Sequence, residues 1–356
     1  MMTKKYRFTA TLLLFISLAT TQYAHGAQDF ASYEECLMQT LKTAPDSLSV
    51  SQLRKSCNGF QVKEETDTTE PPQSTEQAAA SSPELTAVSR RVSHEAKSHL
   101  NLFSILPHKP NYILVGSYND TPNGDALNLD DSEIDNTEIK FQVSFKVPLV
   151  RDLLGDDNGH LYAAYTMKSF WQAYNNDISS PFRETNHEPE LFFALRSNKK
   201  FLGWNNPYIL AGFSHQSNGR SGSDSRSWNR LYLDFILEKG DFALSIKPWY
   251  RLPESDKSYL GDPSGDDNPD ISEYMGYGEL TGAWAKWGHT VSILLRNNLR
   301  RHDNRGAVEL GWSFPLSDEM PLRGYLQYFN GYGESLIDYN SSTNRIGFGV
   351  LLTDWL

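Results

Sequence analysis

The amino-acid sequence predicts an all-β fold, a twelve-stranded antiparallel transmembrane β-barrel with an N-terminal periplasmic extension. From about Asn111 onward, apolar and polar residues alternate in segments that are mostly about ten to fourteen residues long. Short turns and long polar loops follow one another between these segments. Aromatic residues make up 12% of the chain, although the mean hydropathy is only -0.52, as in barrels whose aromatic girdles mark the two membrane interfaces.

The segment GAVELGWSF, residues 306–314, illustrates the alternation. Its apolar side chains Val308, Leu310, Trp312 and Phe314 share one face, because strand side chains alternate with a period of two. Similar segments bring the total to about twelve predicted strands. They lie at residues 111–120, 138–149, 159–174, 188–198, 206–219, 226–240, 242–253, 271–287, 289–300, 322–333 and 345–356.

The connections between the segments are of two kinds. EKGD, KWGH and LSDEMP are short turns, whereas PESDKSYLGDPSGDDNPD and NGYGESLIDYNSSTN are long loops rich in Gly, Asp and Asn. Short turns at one end and long loops at the other are typical of an up-and-down membrane barrel with an even strand count. Closure also removes the sheet edges that lipid does not tolerate. A soluble all-β sandwich is the alternative.

Residues 1–26 have the features of a secretory signal peptide. Lys4 and Lys5 precede an apolar run of about ten residues, and small residues follow at Ala24 and Gly26. This run is shorter than the roughly 20 residues that a spanning helix needs, and no longer run occurs elsewhere. We therefore expect export and no membrane helix in the mature chain.

Two segments precede the predicted barrel domain, which we place at residues 103–356. Residues 27–60 carry apolar residues at helical spacing and hold Cys36 and Cys57. In an exported protein, this pair predicts a small element tied by one local disulfide, with two free buried thiols as the alternative. Residues 61–102 are rich in Glu, Thr, Ser, Pro and Gln, which predicts a flexible linker.

The charge balance excludes one class of partner. The formal net charge is -11 and the sequence pI is about 5.3. Nucleic-acid binding needs a basic surface, so we expect no nucleic-acid partner.

Three polar residues fall on the lipid-facing side of two successive predicted strands. The alternation in NPYILAGFSHQSNG puts His215 and Ser217 on the face of Phe213, and Asn229 in the next strand shares a face with Leu231. The opposite face, which we assign to the lumen, carries Arg230, Tyr232, Asp234 and Glu238.

A polar group on the lipid side is costly unless it lies near the interface or serves a function. A serine hydroxyl becomes a nucleophile when a base takes its proton, and a carboxamide oxygen can hold the imidazole base in the right tautomer. Ser217, His215 and Asn229 supply these three parts. A hydrogen-bonded polar cluster at the barrel rim is the alternative.

The motifs around these residues resemble the outer membrane phospholipase A family. HQSNGRS and SRSWNRLY carry the resemblance, together with YTMKSFWQ, SSPFRETNHEPELF, KPWY, DDNPDISEYMGY and GYGESLIDYN. The resemblance covers the chain from about Phe103 to its end. It implies a calcium-dependent outer-membrane serine hydrolase that is active as a homodimer and cleaves acyl ester bonds of phospholipids and lysophospholipids at the outer leaflet.

The resemblance also implies roles for single residues. Ser217 is then the nucleophile, His215 the general base and Asn229 the residue that orients the imidazole. The backbone N–H of Gly219 contributes to the oxyanion hole.

The calcium ligands implied by the resemblance are oxygen atoms. They are the carbonyl of Arg220, the hydroxyl of Ser225 and, from the other protomer of the dimer, Ser179. The residues between NGRS and SRSWN differ from the family pattern, which puts a second calcium site at Asp224 in doubt. For Asp267, a solvated loop acid is one interpretation and an auxiliary calcium ligand is the other.

Two alternatives complete the predictions. The HEAKSH segment, residues 94–99, resembles a zinc-protease motif, but its second histidine is one position too far along. A passive porin-like or adhesin barrel without catalysis is the alternative function.

Overall fold

A computed structural model of the protein describes residues 86–98, 102–124, 127, 129–259, 262, 265–317 and 322–355, with the backbone alone for 93–98. The predicted signal peptide, the helical element of residues 27–60 and the Cys36–Cys57 pair lie outside the described residues. The histidine side chains of the HEAKSH segment do so as well.

Twelve long antiparallel strands form a closed barrel, so the predicted fold class is confirmed. They are β2 (Asn111–Asn119), β3 (Thr137–Val150), β4 (His160–Trp171), β5 (Phe182–Phe201), β6 (Trp204–Ser217), β7 (Ser227–Lys239), β8 (Phe242–Arg251), β9 (Gly278–Lys286), β10 (His289–Asn297), β11 (Gly306–Pro315), β12 (Arg323–Tyr332) and β13 (Ser342–Thr353). A two-residue strand, β1 (Leu106–Pro107), pairs with β3 beside the wall.

Each long strand pairs with its neighbours in the chain, and the last strand closes the ring. Tyr118 of β2 lies opposite Ile346 of β13, while β3 pairs with both β2 and β4. Closure leaves none of the long strands with an unpaired edge, as lipid requires.

One predicted strand is partly wrong. Residues 271–287 were expected to be extended, but Ile271–Met275 form a short helix, α2, and the strand starts only at Gly278. Ile271 and Met275 are four positions apart and both buried, which is the spacing of one helical face. Gly276 follows with a φ of 70° and ends the helix.

The two faces of the wall have opposite polarity. The described lumen-facing residues include a set of buried charged side chains: Glu138, Lys140, Arg183, Glu190, Arg230 and Arg345. Apolar side chains are exposed on the outside: Val143, Phe213, Leu231, Leu233, Val291, Leu310 and Ile346. This arrangement suits a barrel with lipid around it and polar contacts inside.

Ion pairs cross the lumen below the long loops. Glu138 of β3 pairs with Arg183 at 3.2 Å and with Arg345 at 2.8 Å. Arg183 also reaches Asp338 at 2.6 Å, and Arg345 reaches Glu334 at 2.7 Å. These contacts tie the loop after β12 into the outer mouth of the barrel.

A helix lies at the short-turn end of the barrel. The helix, α1 (Ala87–Ser98), falls within residues 61–102, where the sequence predicts a flexible linker. Ala87 is buried, and its N–H donates to the carbonyl of Gly240 at 3.1 Å. Burial against the β7–β8 turn supplies contacts that the polar composition did not indicate.

An arginine of α1 binds both ends of the barrel chain. Arg91 donates hydrogen bonds to the carbonyl of Trp355 at 2.5 Å and to that of His108 at 3.0 Å. The helix is thereby attached to segments before β2 and after β13. None of the helices in the described ranges has the length and apolar composition that a membrane span requires.

Candidate active site

The candidate site lies at the long-loop end of the β6–β7 hairpin. His215 of β6 is the direct cross-strand partner of Asn229 on β7, and Ser217 is the partner of Ser227. Lumen-facing neighbours Ser214 and Arg230 are buried, whereas His215, Ser217 and Asn229 are half-buried on the opposite face. Strand alternation therefore brings the three predicted catalytic residues to the outside of the wall.

A hydrogen bond joins the imidazole to the carboxamide. His215 Nδ1 lies 2.9 Å from Asn229 Oδ1. Since Oδ1 can only accept, Nδ1 carries the hydrogen, and the lone pair of the neutral ring is on Nε2. A ring in this tautomer can take a proton at Nε2.

Ser217 follows His215 by two positions on the same strand and the same face. No hydrogen bond joins the Ser217 hydroxyl to His215, although both residues are described. Contacts of this kind commonly tighten when substrate binds. The arrangement supplies the parts of a nucleophile and its base on one short stretch of wall.

The lumen side of the wall supports the site from behind. Trp228 is fully buried, and its indole N–H donates to Gln216 Oε1 at 2.8 Å. Arg230 stacks over the Trp228 ring at 4.2 Å and donates to Glu188 Oε1 at 2.7 Å. These interactions connect β6 and β7 on the lumen side, directly behind His215, Ser217 and Asn229.

The loop between β6 and β7 turns directly after Ser217. Gly219 has a φ of 66°, a conformation that favours glycine. The buried Asn218 side chain accepts from Arg226 N at 3.0 Å and donates to the Asp224 carbonyl at 2.8 Å. The Gly219 backbone is therefore held in a defined position two residues after Ser217.

The predicted calcium ligands of this loop lie near an acidic group. The Ser225 hydroxyl donates to Asp267 Oδ2 at 2.7 Å, and Lys257 reaches Asp267 Oδ1 at 2.6 Å. Burial alone would raise the pKa of Asp267, but hydrogen bonds from Lys257 and Ser225 outweigh it and hold the pKa below its ordinary value. The Asp267 side chain is only 10% exposed and is bonded to Lys257 and Ser225.

The other two predicted ligands, Arg220 and Ser179, have bonding partners of their own in this chain. The Arg220 guanidinium pairs with Glu184 at 3.3 Å. Ser179 belongs to the β4–β5 loop, where its N–H donates to the Asn176 carbonyl at 3.2 Å, and no hydrogen bond joins it to Arg220 or Ser225 within this chain.

The donor chemistry nevertheless fits calcium. In the described part of the chain, no three side chains of His, Cys, Asp or Glu cluster as a metal site would require. The oxygen donors at hand are the Arg220 carbonyl and the Ser225 hydroxyl, with the Asp267 carboxylate behind Ser225. Ca²⁺ prefers oxygen ligands of this kind and tolerates irregular coordination.

Sequence reasoning missed two neighbours of the site. Glu254 Oε1 accepts a hydrogen bond from Asn229 Nδ2 at 3.0 Å. His187 of β5 lies directly opposite Ser217, and Tyr165 Oη contacts its Nδ1 at 2.6 Å. The alternation of apolar and polar residues in β5 could have shown which face carries His187. Glu254 follows β8 in a loop without such a pattern, so the sequence gives no indication of its position.

The sequence of this chain matches one known protein family over most of the barrel. The family model described as phospholipase A1 matches residues 88–352. Phospholipase A1 of Escherichia coli K12 is 39% identical over 264 residues, which cover 74% of this chain and 86% of that protein. A putative phospholipase A1 of Neisseria meningitidis serogroup B is 36% identical over 267 residues, covering 71% of this chain and 66% of that protein.

Solved structures show the same similarity. Outer membrane phospholipase A from Escherichia coli superposes with a TM-score of 0.64 at 39% identity, covering 71% of this chain and all of that one. An active-site mutant of that enzyme, with an asparagine changed to alanine, gives a TM-score of 0.66 at 38% identity, with 74% and 98% covered. The Salmonella typhi outer membrane phospholipase dimer with bound calcium gives 0.63 at 38% identity, with 72% and 93% covered.

Proposed function

Because this chain belongs to the phospholipase A1 family, we propose that it cleaves acyl ester bonds of phospholipids and lysophospholipids through Ser217, His215 and Asn229. The chain is an ester hydrolase of the bacterial outer membrane, as its family and its closed barrel indicate. The proposal concerns the residues that carry the reaction, the cofactor and the active assembly.

One observation carries the proposal. The imidazole of His215 is bonded at 2.9 Å to the carboxamide of Asn229, two residues from Ser217, on the face of the barrel wall that meets lipid. A phospholipid in the surrounding membrane reaches this face without entering the lumen. In the relative from Escherichia coli, an asparagine is likewise described as an active-site residue.

The proposed reaction follows the chemistry of serine esterases. His215 Nε2 accepts the proton of the Ser217 hydroxyl as Ser217 Oγ attacks the ester carbonyl, and the resulting imidazolium is stabilised by Asn229 Oδ1. The Gly219 N–H donates to the developing oxyanion. The imidazolium then protonates the departing alcohol, and a water molecule activated by His215 hydrolyses the acyl-enzyme.

Calcium and a second protomer complete the proposed site. The Arg220 carbonyl and Ser225 hydroxyl of one protomer, with the partner subunit's Ser179, would hold the ion, and Asp267 would add negative charge behind Ser225. Calcium bound there supplies positive charge beside the developing oxyanion. The calcium-bound dimer of the Salmonella typhi relative supports this assembly. Hydrolysis would then depend on dimerisation.

A passive pore is less well supported. The lumen contains a cavity of about 590 Å³ that is lined by charged residues. Buried ion pairs cross that lumen, including Glu138 with Arg183 and Lys140 with Glu334 at 2.9 Å. Polar residues at the outer rim of a porin would also have no need of the His215–Asn229 hydrogen bond.

The test compares acyl hydrolysis by wild type, Ser217→Ala and His215→Ala. With a short-chain lecithin in detergent and calcium, we expect each variant to lose at least about 1,000-fold in kcat. A chelator should abolish the wild-type activity. Ser223→Ala, which removes an exposed hydroxyl of the same loop, is the matched control and should keep full activity.

Two results would contradict the proposal. Full activity of Ser217→Ala would remove Ser217 as the nucleophile. A sulfonyl fluoride should label Ser217 faster with calcium than without it, and equal labelling rates would remove calcium from the activation step.

A further inference from the structure

A carboxylate contacts the nitrogen end of the Asn229 side chain, the end that does not face His215. Glu254 follows β8 by three residues, in the long loop between β8 and β9. Its Oε1 accepts a hydrogen bond from Asn229 Nδ2 at 3.0 Å, and this is its only hydrogen bond within the described part of the chain. Neither the sequence motifs nor the family similarity assigns a role to Glu254.

The path of the backbone after β8 places Glu254 there. Arg251, the last residue of β8, pairs with Arg230 of β7. The next residue, Leu252, donates its N–H to the Asn229 carbonyl at 2.8 Å. The chain therefore continues alongside Asn229, and Glu254 follows only two residues after Leu252.

We propose that Glu254 is a positioning residue, which holds the Asn229 carboxamide with its oxygen toward His215. This inference rests on the proposed function of the three residues. It extends the hydrogen-bonded pair of His215 and Asn229 to a third side chain.

The two ends of a carboxamide differ in their hydrogen-bonding chemistry. Asn229 presents an acceptor at one end and a donor at the other, and the two ends have nearly the same shape. Only the orientation with Oδ1 toward His215 Nδ1 selects the tautomer that leaves Nε2 free to act as a base. A carboxylate accepts and never donates, so Glu254 bonds the nitrogen end and disfavours the flipped amide.

The negative charge acts in the same direction. Glu254 polarises the Asn229 amide, and this strengthens the oxygen end as an acceptor for the imidazolium that forms during the reaction. The carboxylate touches neither the substrate nor the reacting atoms. Its effect should therefore appear in kcat and be transmitted entirely through Asn229.

The experiment is a double-mutant cycle in the full-length protein. It compares Glu254→Ala, Asn229→Ala and the double variant, with kcat and KM measured on a short-chain ester in detergent at saturating calcium. Asp256→Ala is the matched control, because it removes an exposed carboxylate from the same loop. The rate of Ser217 labelling by a sulfonyl fluoride gives a second readout that does not depend on binding of the lipid substrate.

We expect Glu254→Ala to lower kcat and the labelling rate on the order of tenfold, with KM changed by less than about twofold. In the Asn229→Ala background, the same substitution should change nothing further. Glu254→Gln, whose amide oxygen can still accept from Asn229, should recover kcat to within about threefold of wild type.

Several outcomes would overturn the inference. They are an unchanged kcat in Glu254→Ala, an effect confined to KM, an equal loss in the Asn229→Ala background, or a Glu254→Gln variant as slow as Glu254→Ala. Failure of the proposed function is distinguishable, since Ser217→Ala and His215→Ala would then stay active. If Glu254→Ala fails to fold, the kcat of Glu254→Leu, which keeps the side-chain volume and has no acceptor, decides the question in the wild-type and Asn229→Ala backgrounds: a larger loss with Asn229 present supports the role, and equal losses or no loss refute it.

Discussion

His215 and Asn229 lie directly opposite each other on β6 and β7, and their side chains bond at 2.9 Å. The ladder of backbone hydrogen bonds therefore sets the distance between the proposed base and its orienting group. No loop has to move to bring them together.

The first prediction concerns this pair. Asn229→Ala should lower kcat by about 10- to 100-fold, because a hydrogen bond to a group that becomes charged contributes roughly 1.5–3 kcal/mol. The measurement is ester hydrolysis in detergent. Asn205→Ala, at the other end of β6 and exposed, serves as the control and should leave kcat unchanged. Equal kcat values for the two variants would exclude an orienting role.

A second prediction concerns the ion pairs of the lumen. Glu138→Ala leaves Arg183 and Arg345 buried without their shared carboxylate. Loss of one member of a buried ion pair costs about 3–5 kcal/mol, so the free energy of unfolding should fall by that amount. Denaturant unfolding in micelles measures the change. Glu273→Ala breaks ion pairs at the surface and should have little effect. Similar losses in both variants would contradict the prediction.

A third prediction tests which face of β7 meets lipid. Leu233, at the middle of β7, and Leu316, in the β11–β12 turn, are both 45% exposed. Leu233→Arg should destabilise the folded barrel in bilayers by about 2–4 kcal/mol, because a charge near the membrane midplane is poorly solvated. Leu316→Arg should change it by less than about 1 kcal/mol. Equal effects would mean that Leu233 does not face the membrane core.

The fourth prediction is an acid dependence of stability. Burial would raise the pKa of Glu334, but Arg345 and Lys140 outweigh it and lower the pKa from 4.5 to about 2. A lowered folded-state pKa stabilises the fold fully above about pH 4.5, and this contribution is lost as the pH falls toward about 2. Glu334→Gln should therefore be less stable at neutral pH and show a shallower loss of stability on acidification. Unfolding midpoints across this pH range test the prediction, which identical slopes would refute.

Much of the barrel can be predicted from the sequence, because a strand with one face toward lipid and the other toward the lumen shows alternating apolar and polar residues. The same alternation shows that His215 and Ser217 share a face. The register between strands is different, because it depends on where each turn begins and ends. The opposition of His215 and Asn229 therefore emerges only from the folded hairpin.

The elements that prediction missed owe their structure to contacts rather than to local pattern. The α1 sequence is polar enough for a linker, and it is helical where Ala87 packs against the β7–β8 turn. The apolar spacing of Ile271 and Met275 fits one turn of helix, but the surrounding segment also fits a strand. Glu254 sits in a loop whose path depends on the pairing of β8 with β7, so nothing local indicates its partner.

The three proposed catalytic side chains all belong to the β6–β7 hairpin. They lie within the fifteen positions from His215 to Asn229. Pairing between segments so near in the chain is among the earliest and fastest events of folding. Pairing of β6 with β7 is therefore enough to place the three proposed catalytic residues, without contact between β2 and β13. Restraint of a lipid-degrading enzyme in transit must then come from components outside the hairpin, such as the proposed second protomer.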